Sequence, residues 1–372
     1  MAGYAGRQEP ALRRPASRGF AGPVTRGTFR DSLHARGISD RRRNMTPELP
    51  RRDAATTWIL ALLAGATFIL CLMSGVSGEL LEFKRDVITN FRLPRTTLAL
   101  VSGGLLGVAG ALTQNLFRNP LASPSILGVE AGGSLAVTAL LVAGAQPHFA
   151  PAGALGGATA ALLFILVFSR KSSVILGGLA LTTAAGSIGS LLLSLALSDP
   201  GRSGQILQWL MGSLAGRGWG DLGRALPMAL TGLVIMWRAG PALDTMLLGS
   251  RVARTVGLDV TRMTRVAVAA VALLTAAAIT GGGLLPFTGL VAPHLGRAMT
   301  GRNLLPIKTR HLCVRSFALG AMLVMISDLI ARTAAAPREL ETGVITGVIG
   351  GPFFLWCIYR DQRREKSGAT HD

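Results

Sequence analysis

Residues 284–297 read LLPFTGLVAPHLGR, a run apolar enough for the interior of a membrane yet broken by Pro286 and Pro293 and carrying a histidine, His294. Proline removes a backbone donor and clashes with the preceding turn of a helix. At membrane depth such a break is tolerated only where neighbouring helices or water satisfy the freed groups. The glycines just before it, in TGGG, permit a sharp reversal. The stretch therefore predicts a turn followed by a short span, with His294 three residues before Arg297, near the basic end of that span. A histidine at the bilayer centre would be a candidate proton carrier; one beside a basic interface reads as a hydrogen-bonding strut.

Working outward, the rest of the chain has the same character. Hydrophobic residues make up 49% and charged residues 15% of the 372, against about 25% charged in a soluble domain, and the mean hydropathy is +0.46. A bilayer core about 30 Å thick needs about 20 apolar residues per helix. Ten spans are expected, at 55–75, 93–113, 122–143, 150–169, 174–198, 221–239, 264–282, 286–300, 315–333 and 342–360. An even number puts both termini on one side. The N-terminal region, Arg170-Lys171, the stretches 238–265 and 297–315 and the tail RDQRREK are basic and fall together on that side, which names it as cytoplasm.

The net charge of +19 is therefore a matter of topology, not of nucleic-acid binding, which needs a basic face on a soluble fold. Residues 1–52 hold 12 arginines and no lysine, a composition that buries no core. They read as a disordered cytoplasmic tail, or, if translation starts at Met45, largely as untranslated sequence. The permease domain is expected over 53–361 and a cytoplasmic tail over 362–372. Cys71, Cys313 and Cys357 lie far apart, and the histidines at 34, 148, 294, 311 and 371 are as scattered. No metal spacing or disulfide framework results, and no metal or cofactor is expected.

Glycines recur at intervals of four, at 103 and 107, 128 and 132, 153 and 157, then 343, 347 and 351. On a helix that spacing makes one small-residue face, which lets helices approach closely in lipid. FRNPLASPSILGVEAGG, 117–133, places Pro120 and Pro124 after Asn119 and Ser123, predicting helix boundaries there. PALDTMLLGSRVARTVGLDVTRMTR, 241–265, reads as two short amphipathic helices broken near Gly249 and Gly257. It suits either a helical loop on the membrane surface or a knob for a partner's groove.

Taken in order, FRLPRTTLAL, FRNPLASPSILGV, WLMGSL, LLGSRVARTVGLD, GGGLLPFTGLVAPHLGR, SDLIAR and GVITGVIGGPFF resemble the bacterial ABC-importer permeases for iron-siderophore, haem and vitamin B12, the FecCD family. The likeness covers about residues 55–360. It implies an all-α polytopic membrane protein of about ten transmembrane helices. This is the type II ABC importer bundle of the vitamin B12 importer permease, functional as a dimer in the bacterial inner membrane. It implies as partners a second permease subunit, two cytoplasmic ABC ATPase subunits and an extracytoplasmic substrate-binding protein, with a ferric chelate as cargo. The chain has no G-x-x-x-x-G-K-[ST] loop, and none of its four lysines follows a glycine. It is expected to do no covalent chemistry and to depend on a separate ATPase.

Matched motif to motif, the resemblance assigns Arg92, Arg95 and Arg332 to binding-protein docking, Leu248, Gly249, Ala253 and Gly257 to ATPase coupling, and Ser172 and Ser173 to a cytoplasmic gate. Each has a plainer reading. Arg92 and Arg95 can anchor a helix end, and Arg332 lies four residues from Asp328, a spacing that suits an ion pair worth about 0.2–0.5 kcal/mol. The serines suit a helix N-cap. Three departures from the family pattern are Glu341, where a proline is usual, the missing Asp-His-Arg after the eighth span, and a longer loop GRNLLPIKTRHLCVRS. A secondary transporter is the rival reading; it would place ionisable groups within the spans, and His294 is the one candidate the sequence offers for that role.

Overall fold

The computed structural model describes residues 49–74, 85–168, 174–299 and 307–368. Backbone contacts divide the chain into residues 1–52 and 53–372; of the first unit only residues 49–52 are described, as helix. The arginine-rich region up to residue 48, the alternative start at Met45 and the gate serines Ser172 and Ser173 lie outside the described residues.

Twelve α-helices of six residues or more are described. They are α1 (Leu49–Met73), α2 (Leu93–Phe117), α3 (Val129–Val142), α4 (Ala150–Phe168), α5 (Val174–Ala196), α6 (Pro200–Met211), α7 (Trp219–Leu247), α8 (Ser250–Thr255), α9 (Val260–Gly282), α10 (Thr288–Ala298), α11 (Thr309–Thr333) and α12 (Thr342–Gly368). All but α6 and α8 correspond to the ten expected spans. Six of them are long and apolar enough to cross a membrane, and 129–142, 150–165 and 342–357 are shorter apolar stretches.

The bundle is built around α2. In α2, 83% of the apolar window is buried, against 11% in α1 and 17% in α5, so α2 is a core helix and the other two are peripheral. Its glycine face explains why. A Cβ at Gly103 would strike the Gly320 carbonyl, one at Gly107 that of Ser316, and one at Gly110 that of Gly289. Here α2 meets α11 and α10 backbone to backbone, with dispersion supplying the attraction that hydrophobicity cannot supply in lipid. Gly132 and Gly157 do the same between α3 and α4. Gly351 has nothing within 4 Å and Gly347 meets only Pro286 at 3.7 Å; these two lie on a helix whose Val344, Val348 and Leu355 are exposed, so that face has no close neighbour among the described residues.

Four elements differ from the sequence reading. The third span begins at Val129, seven residues later than expected, because 118–128 forms a turn. There the Asn119 side chain accepts from Leu121 N at 2.9 Å and the Ser123 side chain from Ile126 N at 3.1 Å. Helix α6 was not foreseen. Its signal is nonetheless local: Asp199 is the N-cap, accepting from Gly201 N and Arg202 N, and Pro200 occupies the first turn. The two short helices expected in 241–265 are one, α8, because α7 continues through Pro241 to Leu247. Proline 241 leaves the Trp237 carbonyl without its helical donor, and Arg310 Nε supplies one at 2.8 Å. Finally, α12 runs on to Gly368.

Candidate functional site

Three places in the bundle gather chemistry. The first is the end where α7, α8 and α9 join. Gly249 (φ +116°) and Gly257 (φ +81°) bracket α8 and have open space where a Cβ would sit. Their backbone, not close packing within this chain, calls for glycine. Ala253 is fully buried, while Leu248 is 63%, Val252 46% and Val256 68% exposed. The result is an apolar knob on a buried pivot. Asp259 caps α9 behind it, accepting from Arg262 N at 2.9 Å.

Under the knob runs a polar network joining four helices. Asp244 of α7 accepts from Thr309 N at 2.6 Å, the Thr309 hydroxyl accepts from Asn115 Nδ2 at 3.0 Å, and Arg297 of α10 donates to Asn115 Oδ1 at 3.0 Å and to Gln114 Oε1. The network thus links α7 at this end to α2, α10 and α11. Arg251, Arg254, Arg262 and Arg265 are exposed around it, and we refer to this as the basic end.

The opposite end carries the arginines that the sequence singled out. Arg95 donates to Asp328 (2.9 and 3.0 Å) and to Glu339 (2.8 Å). Arg332, 2% exposed, donates to the carbonyls of Cys71 at 2.8 Å and Ser74 at 3.3 Å, and its Nε lies 3.6 Å from Asp328. The Arg332–Asp328 pair anticipated from spacing is present, but the closer partner of Asp328 is Arg95, 233 residues away in sequence. Arg92 is half-buried and reaches the Leu72 carbonyl at 3.4 Å. In the loop before α7, Arg217 stacks 4.6 Å over Trp209 and lies 3.6 Å from Asp221. Burial pulls its pKa below the ordinary arginine value, and Asp221 acts the other way.

The third place is the reversal between α9 and α10. Gly283 (φ +70°) and Phe287 (φ +61°) turn the chain. Leu284 N of the reversal donates to the Trp209 carbonyl of α6 at 3.3 Å, and beside it Gly343 N of α12 donates to the Gly212 carbonyl at 2.8 Å, so neighbouring segments answer part of the irregular backbone. Since α10 has 11 residues, about 16 Å at 1.5 Å per residue, the reversal lies roughly half a bilayer core from the basic end. His294 is half-buried one turn from the end of α10, its ring 5.9 Å from Phe353 and edge-on. Beside the reversal is a cavity of about 420 Å³ walled by α3, α5, α6 and α12. Glu130, within the third span expected at 122–143, faces it from the first turn of α3 and is only 2% exposed.

A bundle of apolar helices with a reversal at Gly283–Phe287 and an exposed apolar knob at one end suits a transport permease. The chain belongs to the FecCD transport family, whose model matches residues 54–360. It is 37% identical over 282 residues to the Fe(3+) dicitrate transport system permease protein FecD of Escherichia coli, spanning 74% of this chain and 85% of that one. It is 34% identical over 321 residues to the vitamin B12 import system permease protein BtuC of Vibrio cholerae, spanning 81% and 93%. Among solved structures, a metal-chelate type ABC transporter in an inward-facing conformation superposes with a TM-score of 0.72 at 26% identity, covering 82% of this chain and 99% of that one. The protein is an ABC-importer permease with several membrane-spanning helices.

Proposed function

We propose that this chain is the translocating subunit of an ATP-driven importer that carries ferric siderophore across the bacterial inner membrane. Haem or vitamin B12 is the alternative cargo on the same framework, in keeping with the range of its relatives. The observation that carries the proposal is the knob of Leu248, Gly249, Ala253 and Gly257: apolar side chains exposed at a membrane-protein end, on a pivot tied into α2, α10 and α11. An ATPase groove is the occupant that the importer reading supplies for it. Closure of two ATPase subunits moves α8, and the Asp244–Thr309–Asn115–Arg297 network passes that movement to the pathway helices.

We read the basic end, and with it both termini, as cytoplasmic; the surplus of exposed arginine there supports this reading. A second permease subunit covers the exposed faces of α5 and α12, and the pathway runs between the two copies. At the outer end, Arg92 and Arg95 meet acidic groups of the binding protein, Arg95 sharing its guanidinium with Glu339, while Arg332 holds α1 and α11 together behind them. Such rim charges act mainly on encounter rate and salt sensitivity. Ser172 and Ser173 are assigned to the cytoplasmic gate by family resemblance alone.

The test is uptake of labelled ferric siderophore in cells whose partner ATPase carries an inactivating Walker substitution. Uptake should fall to background; undiminished uptake would sink the proposal.

A further inference from the structure

Glu130 is a buried carboxyl that the transport reading does not use. Its Oε1 accepts from the Ser125 hydroxyl at 2.8 Å, and among the described residues it has no cationic partner. A carboxylate in such a place is costly unless a positive or donor group answers it. The cavity it faces is otherwise apolar, with Ser125 and Thr182 the other polar side chains in its described wall.

The hydrogens on that wall are already committed. The Ser125 hydroxyl donates to Glu130, and the Thr182 hydroxyl donates to the Gly178 carbonyl at 2.9 Å. The backbone N–H groups of Leu284, Gly343 and Val344 donate to the carbonyls of Trp209, Gly212 and Glu341. Pro286 has none to give. Beyond the one proton that a buried carboxyl can keep until a cation reaches it, what the wall offers a visitor is therefore acceptors: the carboxyl oxygens, two hydroxyl oxygens and carbonyl edges.

We propose that Glu130, with Ser125 and Thr182, is the charge-selecting station of the pathway, receiving an ammonium or other donor group of a ferric chelate and turning away polycarboxylate chelates. This rests on the importer reading, which opens the cavity between α5 and α12 towards the second subunit. In so small and apolar a space an anionic chelate meets a wall with no fixed cation among the described residues and little water to screen its charge. A chelate bearing an ammonium supplies the counter-charge that the chain lacks.

The experiment uses the permease–ATPase complex in lipid nanodiscs, without binding protein, so that selection by the permease is read directly. Binding of three radio-iron chelates is measured by scintillation proximity: a ferric trihydroxamate with a free ammonium, the same chelate N-acetylated, and ferric dicitrate. The wild type should hold the ammonium form about tenfold more tightly than the acetylated form, the weight of one charge-assisted hydrogen bond, and dicitrate least. Glu130→Gln should erase the tenfold difference and Glu130→Asp should keep part of it. Equal affinities in the wild type, or a preference that survives Glu130→Gln, overturn the assignment and leave the importer reading standing. Failure of the wild type to bind any of the three overturns the assignment too, and the importer reading then stands or falls on the Walker-substitution uptake test. The wild-type comparison decides the matter even if Glu130→Gln does not assemble.

Discussion

The two ends of the bundle are both rich in arginine, yet they dispose of it in opposite ways. At the Asp328 end the guanidinium groups turn inward: Arg95 and Arg332 share one carboxylate, itself 2% exposed as a side chain, and their remaining donors go to Glu339 and to the carbonyls that close α1. At the basic end Arg251, Arg254, Arg262 and Arg265 point to solvent while apolar side chains stand out beside them. One end spends most of its charge on holding three helices together, leaving Arg92 and the outer edge of Arg95 for a partner. The other leaves its surface unsatisfied, which is what a docking element needs. A charged residue in a permease loop is thus informative about function only after its partners are known.

That contrast can be broken from either side. The largest effect belongs to Asp328→Ala, which leaves two buried guanidinium groups facing one another. It should cost about 3–5 kcal/mol, read as a large drop in the melting temperature of the purified permease, with Asp328→Asn falling between. An Asp328→Ala protein as stable as wild type would show that this end is not held by its ion pairs. Next comes Leu248→Asp. Since Leu248 is exposed, the melting temperature should hold while transport falls about tenfold or more, the loss of one interface anchor. A fall in both would mean that the knob belongs to the fold and not to a partner. Smallest is His294→Asn, which should keep most of the transport rate, since a half-buried ring against Phe353 is a packing element. Complete loss with normal expression and assembly would return His294 to the list of proton carriers.

Much of this was legible in the sequence because the signals are local. Span count follows from runs of apolar residues, the reversal at 283–287 from glycine and proline, and the close packing of α2 from Gly103 and Gly107. The α6 helix was equally legible, since Asp199 and Pro200 form an N-cap and a first turn, but its modest apolarity hid it among loops. The site was less so. The sixth span was expected to stop at 239, two residues before Pro241, whereas α7 runs on to Leu247, because the donor that repairs the proline break, Arg310, comes from another helix. Arg332 showed its partner at four residues' distance, whereas Arg95 did not.

By itself, then, the sequence determined that this is a multi-span membrane permease of a known family, since hydropathy, glycine spacing and motif order are properties of short stretches. Only the tertiary structure decided what its charged residues do. Asp328 serves Arg95 from 233 positions away, and Glu130, unremarkable in LGVEAGG, becomes a buried carboxyl on a cavity wall once α5, α6 and α12 close around it. Burial and pairing depend on which distant segments are brought together, and a linear pattern does not carry that information.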